Sequence, residues 1–167
     1  MGLFDRAGLP RADFDSLTTA VGRRVRVLAW ARAADGPVVG MADRLARRSP
    51  DGWRQMPWHE IDAGGWDAET GRLRWRLTDG TGDDVRLDDP GSLPDLFRER
   101  VDASIAVRER FELGRGRASL IVARRRFDDE RAPLLWTVTR LGGSFDAAQL
   151  DQADAELARL RDEYDIG

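Results

Sequence analysis

The single histidine, His59, stands beside Glu60 in the segment Met56-Pro57-Trp58-His59-Glu60-Ile61, and a histidine next to a carboxylate suggests a general base. A base needs a nucleophile or a polarised substrate in reach. Read as a strand, this segment sends adjacent side chains to opposite faces, so His59 and Glu60 diverge. His59 is therefore expected to be an ordinary sheet or surface residue. One histidine and no cysteine leave zinc short of ligands. Carboxylates gather at Asp79-Gly80-Thr81-Gly82-Asp83-Asp84 and at Asp88-Asp89. They lack calcium-loop spacing and its closing bidentate glutamate. Asp and Gly are what a tight turn requires, and a turn is the expected use. Gly114-Arg115-Gly116 and Gly142-Gly143 match no phosphate-binding fingerprint. No catalytic residue, metal ligand or cofactor is expected.

Binding chemistry has more to work with. All 27 basic residues are arginine, so every cation is a planar fork and lysine chemistry of any kind is excluded. Arg124-Arg125-Arg126 is the most basic run. Residues 98–126 hold nine Arg against four acids, and residues 144–167 hold seven acids against two Arg. Mutual neutralisation, in one chain or between subunits, is the first expectation, and an anion-binding patch is the second. The six Trp suggest stacking platforms, but Trp75 and Trp136 sit in apolar strands, and core packing is expected for most of them. Near the C-terminus, Leu150, Ala153, Leu157, Leu160 and Tyr164 form a narrow helical stripe among charged neighbours. That stripe needs a cover, either this chain's own sheet or a partner. Arg124, Arg125, Arg126, Leu157, Leu160 and Tyr164 are the candidate binding residues.

Such residues need a scaffold. The 167 residues, 41% hydrophobic and 34% charged, suit one globular domain with a heavily charged surface. A net charge of −3 gives no global attraction to nucleic acid or anionic lipid. Without cysteine there are no disulfides. No apolar run is long enough to span a membrane, and Met1–Pro10 lacks the apolar stretch of a signal peptide. A cytoplasmic location is expected.

The elements follow from periodicity and turn chemistry. Residues 1–12 read as an irregular arm, and Asp13 to Val21 as a short helix with Phe14, Leu17 and Val21 on one side. Val25–Ala31 is a strand stopped by Asp35-Gly36-Pro37. A second strand begins at Val38–Met41 and runs on through Leu45. Ser49-Pro50-Asp51-Gly52 is a turn. A third strand covers Trp53 to Ile61, interrupted near Pro57 and continuing past Gly64-Gly65 to Trp66. Arg72–Leu77 alternates strictly, with Leu73, Trp75 and Leu77 facing a core and Arg72, Arg74 and Arg76 facing away. Asp79–Gly82 turns it back into Val85-Arg86-Leu87. Ser92 and Asp95 open a helix whose stripe runs Leu93, Phe97, Val101, Ile105, flanked by Leu96, Ala103 and Phe111. Gly114-Arg115-Gly116 ends it. Strands follow at Ala118–Arg125 and Leu134–Leu141. A last helix is capped by Asp146, with Gln149 three residues on, and runs to about Tyr164. The class is α+β and mainly antiparallel.

Three features together carry a family resemblance: the opening hairpin Val25–Leu45, the Met56–Ile61 segment followed by the Gly71-Arg72-Leu73-Arg74-Trp75 hairpin, and the amphipathic helix from Leu93. Over residues 25–107 the chain resembles the pleckstrin-homology-like domains of small uncharacterised bacterial proteins, and as a whole it is similar to an actinobacterial group of unknown function. The resemblance implies a bent antiparallel sheet or partial barrel capped by that helix, with residues 114–167 as an added hairpin and helix in a single domain over residues 1–167. Phosphoinositide-binding members use basic residues around the first hairpin loop. Here that loop is Arg32-Ala33-Ala34-Asp35-Gly36-Pro37, and no lipid site carries over.

The function expected is a non-enzymatic binding or scaffolding domain acting through protein contacts or self-association as a dimer. An anion or nucleic-acid binder using the Arg-rich hairpin is one alternative, although the net charge disfavours nucleic acid. A small enzyme whose carboxylates are assembled only by the fold is the other.

Overall fold

The computed structural model describes residues 8–164. The chain divides into two compact units, one ending at Val101 and the other beginning at Asp102. The architecture is α+β, with three antiparallel sheets and three helices among the described residues. None of these three sheets closes into a barrel.

The first unit opens with α1 (Arg11–Val21), which takes in Arg11 and Ala12 from the expected arm. Residues 1–7 of that arm lie outside the described residues. Sheet one is an antiparallel meander of β1 (Ala29–Ala33), β2 (Gly36–Gly40), β3 (Arg44–Ser49) and β4 (Gly52–Pro57). The strand expected over Val25–Ala31 starts at Ala29 instead and runs to Ala33. The expected continuous run from Val38 to Leu45 is two strands. Asp43 sits in the turn between them, where it accepts hydrogen bonds from Arg23 (2.6 Å) and Arg44 (2.7 Å) while the Met41 N–H donates to the Arg44 carbonyl.

The expected strand from Trp53 to Trp66 is also two strands, in different sheets. Pro57 cannot continue the ladder as a donor. Trp58, fully buried, then donates its indole N–H to the Met41 carbonyl (2.9 Å) and its backbone N–H to the Asp43 carbonyl. These bonds pin a 3-10 turn over Trp58–Glu60, and the chain leaves it as β5 (Ile61–Asp67). Sheet two continues through β6 (Arg72–Leu77) and β7 (Gly82–Arg86). On β6, Leu73 and Trp75 are buried and Arg74 and Arg76 exposed, as the alternation predicts, while Leu77 is half-buried and Arg72, paired with Asp84, is half-buried too.

Helix α1 covers one face of sheet one. Leu17, Val25, Val39, Met41 and Ala46 form a buried cluster there, with Phe14, Val21, Trp30 and Trp53 packed against it. Ser16 Oγ accepts from Arg48 and from the Trp53 indole, and Gln55 donates to the Ala20 carbonyl, so polar bonds fasten the same face. The other face carries Val38 and Leu45, both fully buried, and Gly40. Helix α2 (Leu93–Ser104) sits where side chains have been removed from both sheets. A Cβ at Gly40 would stand 2.5 Å from Leu96, and one at Gly64 would stand 2.7 Å from Phe97. Phe97 also meets Trp58 edge to face, with ring centroids 6.0 Å apart.

The sequence predicts α2 to continue past Phe111, but it stops at Ser104. Residues 105–114 are β8 (Ile105–Gly114), with Val107 and Leu113 buried and Arg108, Arg110 and Glu112 exposed. The helical spacing that ends at Ile105 overlaps a period-two pattern that begins there and continues through Val107, Phe111 and Leu113, and pairing with β9 (Arg117–Arg124) decides for the strand. The second unit is a sheet in the order β10-β9-β8, with β10 spanning Leu135–Leu141. Gly114-Arg115-Gly116 forms the β8–β9 turn rather than a helix end, with Arg115 and Gly116 both at positive φ, as a tight hairpin demands. Helix α3 (Ala147–Tyr164) lies against β8. Its start is the predicted capping box: the Gln149 N–H donates to Asp146 Oδ1 (2.8 Å) and the Asp146 N–H to Gln149 Oε1 (3.1 Å). No helix among the described residues is long and apolar enough to cross a membrane.

Candidate functional site

The three consecutive arginines have three different fates. Arg124 ends β9 and is 1% exposed, with Nη1 3.3 Å from Ser104 Oγ. Arg126 is half-buried and held in a two-pronged pair by Asp128, both bonds at 3.0 Å. Arg125 is exposed, makes no ion pair among the described residues, and is held in place by its backbone N–H, which donates to the Ser104 carbonyl (2.7 Å). The run is therefore not a single cationic patch, because strand geometry and the loop that follows separate its side chains.

Arg125 and Arg126 meet Tyr164, about forty residues distant in the chain, in a groove of about 740 Å3 within the second unit. Phe127, Ala132 and Leu134 from the β9–β10 loop supply its apolar lining, together with Ala106 at the start of β8, and Glu130 adds a carboxylate. Tyr164 is 47% exposed. Leu160 is buried and Leu157 half-buried on α3, and neither lines the groove. The stripe thus divides: Ala153 and Leu160 belong to the interior, and Tyr164 to the groove. Phe127 and Leu134 were missed in the sequence. The signal was an apolar residue at Phe127 and the apolar stretch Ala132-Pro133-Leu134 in a loop otherwise rich in charge.

The expected neutralisation between the Arg-rich and acidic stretches takes another form. Arg159 of α3 reaches Glu109 of β8 (3.9 Å), a basic residue of the acidic stretch on an acid of the basic one. Arg159 also binds Glu156 (2.7 Å) and Glu163 (2.8 Å), and its hydrogen bond to Glu156 holds that carboxyl below its usual range. Arg110 pairs with Glu112 on its own strand.

The other chemical candidates are accounted for locally. His59 lies in the 3-10 turn rather than a strand and is buried, while Glu60 is exposed. Asp79 accepts from the Thr81 N–H (2.8 Å) and hydroxyl (2.6 Å), as a turn aspartate does. Asp83 is bound by Arg47 and Arg54, and Asp84 by Arg72. No group of three or more His, Asp or Glu side chains among the described residues is placed to hold a metal ion. Trp58 and Trp75 are buried and the other four Trp are partly buried. A cleft of about 360 Å3 at the β1–β2 hairpin sets Arg32 and Arg48 against Asp13 and Asp35, so its charges are mixed.

Comparison with protein-family models, with curated proteins and with solved structures gives no match for this chain.

Proposed function

We propose that this chain is a non-enzymatic binding domain whose second unit receives a peptide segment of a partner protein in the groove at Arg125 and Tyr164. One observation carries the reading: an exposed guanidinium without an ion-pair partner among the described residues opens onto an apolar lining of Phe127, Leu134 and Tyr164. The occupant is an acidic side chain followed by an aromatic or branched aliphatic one. The acid takes the guanidinium in two-pronged fashion and the apolar group displaces water from the lining. A purely anionic ligand fits less well, because burial removes Arg124, Asp128 occupies Arg126, and Glu130 repels it.

The first unit, on this proposal, is pleckstrin-homology-like. The chain order of four strands, three strands and a helix supports that, as does the seating of α2 on Gly40 in one sheet and Gly64 in the other. It serves as a scaffold, with no lipid site at its first hairpin.

The test is a peptide array probed with the purified full chain. Acidic–apolar peptides should be enriched, and Arg125→Glu should abolish the selection. Enrichment independent of residue 125, or none at all, would contradict the proposal.

A further inference from the structure

Among the described residues, three open sheets have six edge strands, and five of them carry a feature that disfavours further pairing. On β1, the Arg32 carbonyl already accepts the Asp88 N–H (2.9 Å). Strand β4 closes on Pro57, which cannot donate. Strand β5 contains Gly64-Gly65 and a register shift between Ile61 and Ala63. Strand β7 carries Asp83, Asp84 and Arg86. Strand β8 has register shifts at both ends, four charged residues between them, and α3 against it. Strand β10 is built differently. It pairs with β9 in unbroken register over all seven residues, contains no Gly or Pro, and holds one charge, Arg140. Val138 at its centre is 42% exposed, one of only two large hydrophobic side chains among the described residues to be so exposed.

The sequence of β10 also complements itself. Placed antiparallel to a second copy with Val138 on the two-fold axis, Leu135 faces Leu141, Trp136 faces Arg140, and Thr137 faces Thr139. These are compatible cross-strand pairs, and Arg140, whose guanidinium lies over the Phe145 ring of its own chain, is opposed by an aromatic residue instead of a like charge. Shifting the axis to Arg140 would oppose two guanidiniums, and shifting it to Thr137 would leave Leu141 without a partner in the strand. We infer that β10 is a dimerisation edge, at which two copies of this chain join their three-stranded sheets into one six-stranded sheet through a two-fold axis at Val138. Such an interface is isologous, the same patch on both subunits. It is independent of the groove reading.

The chain has no cysteine, so a single introduced thiol reports on the axis without background. Sedimentation of the full chain over a dilution series should show a species of twice the chain mass. Val138→Lys should return it to one chain mass with an unchanged circular dichroism spectrum, since residue 138 is exposed. Val138→Cys should cross-link to a covalent dimer on mild oxidation, and Thr139→Cys, whose symmetry mate faces Thr137 two positions away, should not. A chain that stays monomeric at every concentration would overturn the inference. So would a dimer that survives Val138→Lys, or equal cross-linking through residue 139.

Discussion

Phe97 of α2 lies directly over Gly64 of β5: a Cβ at residue 64 would stand 2.7 Å from the Phe97 ring and would press still closer on the Arg74 carbonyl oxygen. The ring is part of the helix seat and the carbonyl is backbone, so neither can withdraw cheaply. At Gly40 the obstacle is the tip of the Leu96 side chain, which can rotate. Gly64→Ala should cost about 3 kcal/mol, the upper part of the overpacking range, and Gly40→Ala about 1 kcal/mol. Urea denaturation of the two variants checks the order, and equal losses would show that the helix does not rest on Gly64.

The β6 alternation gives a sharper contrast. Trp75 is 4% exposed while its neighbour Arg74 points outward. Trp75→Ala should cost about 3–5 kcal/mol as a large-to-small core change. Arg74→Ala should stay within about 0.5 kcal/mol. Thermal and chemical unfolding of both variants measure the difference.

That strand was legible in the sequence because one face is buried and the other meets water, so the pattern alternates cleanly. The Asp146–Gln149 capping box was legible because capping is a local event. The β2–β3 turn was not. Met41-Ala42-Asp43 has no Gly or Pro, and what bends it is Asp43 bound to Arg23, twenty residues earlier. The end of α2 at Ser104 was hidden for a similar reason: Ile105 fits both the helical stripe and the strand, and only the pairing partner β9 separates them. In the groove, Arg125 and Tyr164 were each visible as candidates, but their meeting depends on α3 running back along β8 to bring its last turn beside the β9–β10 loop.

Asp43 also sets an acid limit. Burial works to raise its pKa, and the hydrogen bonds and charges of Arg44 and Arg23 together outweigh that, leaving it below the ordinary 3.8. A carboxyl depressed in the folded state contributes stability above its unfolded pKa, and the contribution is lost as pH falls through the folded value. Asp43→Asn should cost about 2 kcal/mol at neutral pH, less than a fully buried pair because Arg23 reaches solvent. It should also flatten the fall in stability as the pH drops through and below the ordinary aspartate range. Asp67, Asp79, Asp84 and Glu156 are depressed too and act alike in both proteins, so the difference between the two curves isolates Asp43.

His59 is assigned no proton-transfer role. His59→Gln should leave peptide binding through the groove unchanged from pH 5 to pH 8, a range of about three units that spans the ordinary histidine titration. Fluorescence anisotropy of an array-selected peptide checks this, and a His59-dependent pH profile would give the residue a function.

The most direct test of the account is a charge swap at the groove, read by the same anisotropy measurement. Arg125→Glu should weaken an acidic–apolar peptide by about tenfold or more, the value of a lost charge-assisted pair. Replacing the acidic residue of that peptide with arginine should restore binding to Arg125→Glu and not to the natural chain, while Tyr164→Ala should weaken both pairings. If the swapped peptide gains nothing, or if Arg125→Glu and Tyr164→Ala bind the original peptide as well as the natural chain does, the groove is not the binding site.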